Sequence, residues 1–216
     1  MIKYEKLLIC VKAPYYYYTH GGTFADTRPF LGDIALYYAI AYSLGLGLKP
    51  TLKDERINVL KNAKFLVSVG KPRVFKTKKL MIVGSSFEES IKLLSIILYR
   101  RGGSMLYKNI RKIKAIDVGS EFEAYIFYFE DISLPKKFAV RFGVGREGVL
   151  EIERVPPNDN DKIWLNLFTL NAIGLEMYLH EIDEKRLTTE VINKYYTIIK
   201  EVKVKDFLKI LAKLRK

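Results

Sequence analysis

Along residues 2–13, IKYEKLLICVKA, apolar and charged positions alternate imperfectly, and the pattern predicts a first strand. A loop rich in tyrosine and glycine follows. From Leu31 the period changes: Leu31, Ile34, Tyr38, Ala41 and Leu44 recur at helical spacing, and Gly45 and Gly47 end the helix. A short helix is expected over 54–62, then strands at FLVSVG (65–70) and VFKTKKLMIV (74–83), joined through Lys71 and Pro72. Ser86 and Glu89 have capping-box spacing, Phe87, Ile91, Leu94 and Leu98 give that helix its buried face, and Gly102-Gly103 stop it. Strands are expected next at 112–118, 123–129, 137–143 and 149–155. Pro156-Pro157 and the polar run Asn158–Asp161 mark a loop, two more strand-like segments cover roughly 173–182 and 190–199, and a basic helix spans 204–214.

Strand, helix, strand, strand, helix, strand is the order of a ferredoxin-like, RNA-recognition-type unit, four strands backed by two helices. The expected class is therefore α+β: a βαββαβ core over residues 1–130, then a strand-rich lobe with a C-terminal helix over 131–216. In that helix Val204, Phe207, Leu208, Leu211 and Leu214 form an apolar stripe among lysines and arginines. It is expected to dock on its own domain; a membrane surface or a neighbouring subunit are the other readings.

Composition narrows the function. A chain of 216 residues with 49% hydrophobic content can bury a core of its own. Cys10 stands alone, which permits neither an internal disulfide nor a cysteine-based zinc site and suits a reducing cytosol. No apolar run reaches membrane-spanning length and no signal-peptide pattern opens the chain, so a cytoplasmic location and no membrane partner are expected. Charge changes the picture most. A formal net charge of +13 favours a polyanion, and nucleic acid is the commonest one in a cytosol. The plainer alternative is a thermophile's lysine-rich surface, with which the absence of glutamine agrees.

Four features carry candidate chemistry. GVGREG (143–148) matches G-x-G-x-x-G, but the segment after it, VLEIERVPP, is a strand and not the helix that a dinucleotide site requires. What remains is a glycine-rich turn with Arg141 and Arg146, open to a phosphate or simply a hairpin. Lys71, Arg73, Lys76, Lys78 and Lys79 form one acid-free run; Arg100, Arg101, Lys108, Arg111, Lys112 and Lys114 form a second, with Tyr107 among them. Basic residues interleaved with an aromatic suit a groove that tracks a single strand. Tyr15–Tyr18 form the third feature: alternate residues of an extended chain face opposite sides, so two at most share a face, and one or two can stack on bases while the others pack inside. Last, Tyr17, His20 and Lys76 are the residue types of a metal-independent ribonuclease, although no spacing orients them. Neither His20 nor His180 has metal-ligand spacing, and no cofactor is expected.

Taken together, several segments resemble a known family. The aromatic loop enters the first helix through Thr27-Arg28-Pro29-Phe30-Leu31, then Asp33 and Ala35-Leu36-Tyr37-Tyr38-Ala39, and further on come KIKAIDVGSEFEAYIF (112–127) and LPKKFAVRFGVGREGVLEIERV (134–155). This pattern is similar to the handle-binding subunit of type I-D CRISPR effector complexes, the Csc-one branch of the Cas-five family, over roughly residues 2–155. The resemblance implies a repeat-associated RNA-binding fold that holds the repeat-derived 5′ handle of the crRNA and caps one end of a helical backbone. It implies contacts with the adjoining backbone subunit and the large Cas-ten-type subunit. A separate enzyme is expected to cut the precursor, which makes this subunit non-catalytic, with precursor processing as the alternative. Carried over by position, Tyr17, Tyr18, His20 and Arg28 are candidates in the loop and helix entry, and Arg141 and Arg146 in the glycine turn.

Overall fold

Strand β1 (Lys3–Ala13) runs where the alternation places it: Leu7, Ile9 and Val11 are buried, and Lys6, Leu8, Cys10 and Lys12 between them are not. The computed structural model describes residues 2–17, 24–46, 59–83, 110–143, 147–182, 188–193 and 195–215. After β1 come β2 (Phe24–Asp26), α1 (Asp33–Ser43), β3 (Phe65–Val67), β4 (Lys71–Val74), β5 (Thr77–Val83) and β6 (Ile110–Ile116). Then follow β7 (Glu121–Tyr128), β8 (Lys137–Phe142), β9 (Gly148–Val155) and β10 (Lys162–Asn166). A short α2 (Leu167–Ala172), β11 (Thr188–Asn193), β12 (Tyr196–Lys203) and α3 (Val204–Leu211) complete the order. The result is a mixed α+β fold, rich in strands and poor in helices.

The largest sheet has the order β3-β7-β1-β9-β8, with β4 continuing the β3 edge along β7. Helix α1 touches both β3 and β8, the two ends of that order. Four flat inter-strand spacings would separate them by about 19 Å, so the sheet curls around the helix. Curling also explains why α1 buries more than the predicted stripe: Leu36, Tyr37 and Ile40 are sealed along with Ile34 and Ala41. The helix stops as predicted at Gly45 (φ 66°), where Gly45 N donates to Tyr42 O and Leu46 N to Ala41 O in a Schellman arrangement.

Strand β7 is covered on both faces, and that accounts for its unbroken apolar run. Phe122, Ala124, Ile126 and Tyr128 belong to the core beneath α1, whereas Tyr125 and Phe127 face a second core with Leu165, Val202, Phe207 and Leu211. Phe207 of α3 meets Phe127 edge-on at 5.0 Å, so the basic helix docks on its own fold.

The predicted arrangement differs in four places. The strands expected to complete the four-stranded core, 74–83 and 112–118, pair instead with each other as β5 and β6, in a separate sheet of order β2-β6-β5. The cause is a break at Lys76, whose N–H donates to Ser120 Oγ (3.0 Å) and whose carbonyl accepts from Asp117 N (2.9 Å). These bonds pull the chain off β7. Their places in the large sheet go to β7 and β9, so that β1, α1 and β3 form a split βαβ unit around β7. Strands β8 and β9 form as predicted, but both, placed by the sequence reading in the 131–216 lobe, pair within the large sheet. At the C-terminal end, 173–182 is a 3-10 turn (Glu176–Glu181) and not a strand. The segment 190–199 is a hairpin, because Asn193 Oδ1 accepts from Tyr195 N (2.8 Å) and Tyr196 N (3.1 Å) and turns the chain between β11 and β12. The capped helix predicted from Ser86 lies outside the described residues, as does most of the 54–62 helix, of which Val59–Lys61 is helical.

Candidate nucleic-acid interface

Tyr15 leaves β1 and exchanges both backbone hydrogen bonds with Ile116 of β6 (3.1 and 2.8 Å). Strand β2 returns parallel along the same β6, and Thr27 N donates to Lys114 O (3.3 Å). Both ends of the 18–23 segment are therefore anchored on β6. The described tyrosines divide. Tyr15 is buried against Phe142 at 5.0 Å, and burial pushes its hydroxyl pKa well up. Tyr16 is buried on the other side, against Ile113 and Ala115. Tyr17 is half-buried, with its ring 5.8 Å from Phe30 and its hydroxyl donating to the Arg28 carbonyl (2.8 Å). Tyr18 and His20 lie outside the described residues.

The glycine turn meets this loop across more than a hundred residues of sequence. Gly143 has φ 82°, and a Cβ there would sit 2.9 Å from Tyr15 Cβ and 3.1 Å from the Tyr16 carbonyl. At Gly148 a Cβ would run into Tyr15 Cβ itself. Two glycines of GVGREG thus let the tyrosine backbone approach the β8–β9 hairpin. The turn joins two antiparallel strands, which removes the dinucleotide reading on geometric grounds. Arg141 is exposed on β8 and has no ion pair among the described residues; Arg146 lies outside them.

Cations form a strip along the chain that leaves β7. Arg73, Lys76, Lys78 and Lys79 are exposed, and among the described residues none of them has an ion-pair partner. Lys76 is fixed by its backbone bonds to the Asp117–Ser120 turn, and a Cβ on Gly119 (φ 76°) would lie 3.0 Å from its Nζ. Lys79 stands directly opposite Lys114 in the β5–β6 ladder. Other cations without an ion pair among the described residues include Lys61, Lys136, Lys203 and Lys205. Two of the predicted RNA-binding side chains are already engaged: Lys71 lies 3.4 Å from Glu201 and Arg28 lies 3.6 Å from Glu190. Arg100, Arg101, Tyr107 and Lys108 lie outside the described residues.

The open face of the large sheet is different. Its lysines are matched across strands, Lys6 with Glu123 (3.0 Å) and Lys12 and Lys137 with Glu151 (3.2 Å each). Those lysines hold the Glu151 carboxyl below its ordinary range. Glu121, Glu151 and Glu153 line a shallow groove of about 230 Å³ over Leu8, Cys10 and Phe122, and Arg73 is the one cation that lines it with them. A phosphate chain finds carboxylates there and no aromatic platform. Sequence reasoning missed this division, because only register shows which lysine meets which glutamate. It also missed Ser120 and Gly119, whose Asp-Val-Gly-Ser turn signal was available, and the group of Lys162, Trp164 and Lys200 on the C-terminal sheet. Among the described residues no three His, Cys, Asp or Glu side chains are placed to hold a metal ion, and no helix is long and apolar enough to cross a membrane.

Comparison with known proteins agrees with the resemblance read from the sequence. No curated protein matches the chain. Among solved structures, chains of the type III-B Cmr-beta complex are similar. One, bound to cognate target RNA and AMPPnP, has 8% identity and a TM-score of 0.47, with 96% of this chain and 88% of that one covered. Another, bound to cognate target RNA, has 8% identity and a TM-score of 0.44, with 96% and 89% covered. The family described as type I-D CRISPR-associated protein Cas5/Csc1 matches residues 2–212, nearly the whole sequence, and the chain belongs to that family.

Proposed function

We propose that this chain is a non-catalytic subunit of a type I-D effector complex that holds the 5′ handle of the crRNA and caps the backbone, in contact with the adjoining backbone subunit and the large Cas-ten-type subunit. Family membership supports a role in CRISPR defence. One observation carries the RNA reading: Arg73, Lys76, Lys78 and Lys79, without ion-pair partners among the described residues, run along β4 and β5, while β6 anchors the tyrosine loop at its other edge. The split βαβ unit has the strand–helix–strand order found in one half of an RNA-recognition-type core. The exposed part of the large sheet has its lysines matched by glutamates, so the RNA follows the edge formed by β4, β5, the tyrosine loop and the glycine turn. Tyr17 offers the aromatic edge and Arg141 a further cation; Arg146, Tyr18, His20, Arg100, Arg101, Tyr107 and Lys108 lie outside the described residues and remain RNA-binding candidates from the sequence.

The test is fluorescence anisotropy of the purified chain with an RNA carrying the repeat-derived handle, titrated at several KCl concentrations. Removing one cation that neutralises a phosphate flattens the plot of log K against log salt by about 0.7. Replacing Arg73, Lys76 and Lys78 together with alanine is expected to flatten it by about 2. An unchanged slope refutes the interface. For the non-catalytic reading, repeat RNA incubated with the protein in chelator stays intact; a clean cut abolished by His20→Ala overturns it.

A further inference from the structure

Beyond the tyrosine loop lies a patch in which two glutamates hold four cations around the chain's single tryptophan. Glu201 Oε1 accepts from Trp164 Nε1 (3.3 Å) and faces Lys71 Nζ (3.4 Å), and its Oε2 faces Lys162 Nζ (3.3 Å). Glu190 Oε2 meets Lys200 Nζ at 2.6 Å, and its Oε1 lies 3.6 Å from Arg28. Lys200 Nζ in turn sits 4.7 Å from the centre of the Trp164 ring. The indole therefore joins both carboxylates into one group.

Two features set this group apart from ordinary surface ion pairs. Glu201 lies in the β10–β12 ladder where the register shifts between Ile163 and Leu165, and its φ is 65°, a left-handed backbone that a non-glycine residue adopts at a cost. The strain places one carboxylate between cations from two different sheets. The patch is also continuous with the interface described above: Trp164 packs in the same cluster as Phe30, Tyr17 and Tyr196, and Arg28 belongs to the loop segment that Tyr17 grips.

We propose, building on the RNA reading, that Arg28, Lys71, Lys162 and Lys200 form a second phosphate-binding surface beside Trp164, which Glu190 and Glu201 occupy until RNA phosphates displace them. Carboxylate oxygens stand where phosphate oxygens come to rest. When RNA binds, each glutamate swings to solvent and the released cations, among them Lys200 over the Trp164 ring, take up phosphates, while the indole N–H loses its Glu201 acceptor.

Trp164 makes the test direct. Its emission is followed while the full chain is titrated with the handle RNA, alongside anisotropy of wild type, the Glu190→Gln/Glu201→Gln double variant and the Lys162→Ala/Lys200→Ala double variant. Emission is expected to change saturably with the anisotropy. The glutamine variant is expected to bind several-fold tighter, with a salt slope steeper by about 1.4, and the alanine variant to bind more weakly with a flatter slope. Emission that stays constant at saturating RNA overturns the proposal and leaves the surface to an acidic protein partner; so does a glutamine variant with wild-type affinity and slope. The Arg73/Lys76/Lys78 variant keeps the two readings separate: if it binds RNA normally the RNA reading fails, and if it alone loses affinity only the second surface does.

Discussion

Asp33 opens α1 and is completely enclosed, 3% exposed, at the joint between the helix and the C-terminal sheet. Asn166 Nδ2 donates to one of its oxygens (3.0 Å) and Thr169 Oγ1 to the other (2.5 Å). Burial disfavours the charged carboxylate more than these bonds favour it, and the pKa is pushed up from 3.8 to about 6. Because the folded state holds the proton more tightly than the unfolded chain, the stabilisation is full below pH 3.8 and is lost as pH rises through 6. A difference of about 2 units corresponds to about 3 kcal/mol, most of it lost between pH 4 and 6. Asparagine mimics the protonated acid: its oxygen still accepts from Asn166 and its amide can donate to Thr169. Asp33→Asn is therefore expected to be near neutral at pH 4 and more stable than wild type by about 2–3 kcal/mol at pH 7.5. Urea unfolding of both proteins at those two pH values measures the difference directly. Taking the difference between the proteins removes the opposing contributions of Glu5, Asp161 and Glu201, whose lowered pKa values add stability above the ordinary carboxylate range. Parallel stability curves for wild type and variant would show that Asp33 does not titrate upward, and the reasoning falls.

Ser68 Oγ accepts from the buried Tyr125 N–H at 2.9 Å, so Ser68→Ala strands a donor and is expected to cost about 1–3 kcal/mol in thermal unfolding, while Ser68→Thr costs less. Gly148→Ala drives a methyl into Tyr15 and is expected to destabilise by about 1–3 kcal/mol and to reduce handle-RNA affinity as well; normal binding would separate the glycine turn from the interface.

Strands β1, β7, β8 and β9 were legible nearly to the residue, since a half-buried strand writes its alternation, and a doubly covered one its continuous apolar run, into local sequence. What escaped was non-local. Nothing within 74–83 announces that Ser120 captures Lys76, 44 residues away. Val191, Ile192, Tyr195, Tyr196, Ile198 and Ile199 read as one strand because the turn between them is made by Asn193 without glycine or proline. The site follows the same rule. Gly143 and Gly148 were conspicuous as residue types, yet their reason, the approach of Tyr15, exists only once β9 lies beside β1. Glu201 carried no local signal at all, because its backbone strain and its three partners arise from a bulge in a sheet that sequence periodicity did not reveal.

Net charge alone would treat every lysine as equivalent, and the pairing pattern denies this. Lys12 and Lys76 are both exposed on neighbouring parts of the fold, but Lys12 faces Glu151 at 3.2 Å, whereas Lys76 has no ion-pair partner among the described residues and is held over Gly119. A phosphate that recruits Lys76 gains its full charge. One that recruits Lys12 must first strip it from a carboxylate and then lie beside that carboxylate. Lys76→Ala is accordingly expected to lower the salt slope of handle binding by about 0.7, and Lys12→Ala to leave it nearly unchanged, although each removes one positive charge. Anisotropy at matched ionic strengths distinguishes the two cases. Equal losses would mean that RNA responds to the overall positive field and not to where the unpaired cations are placed, and the assignment of a defined edge to the RNA path would have to be given up.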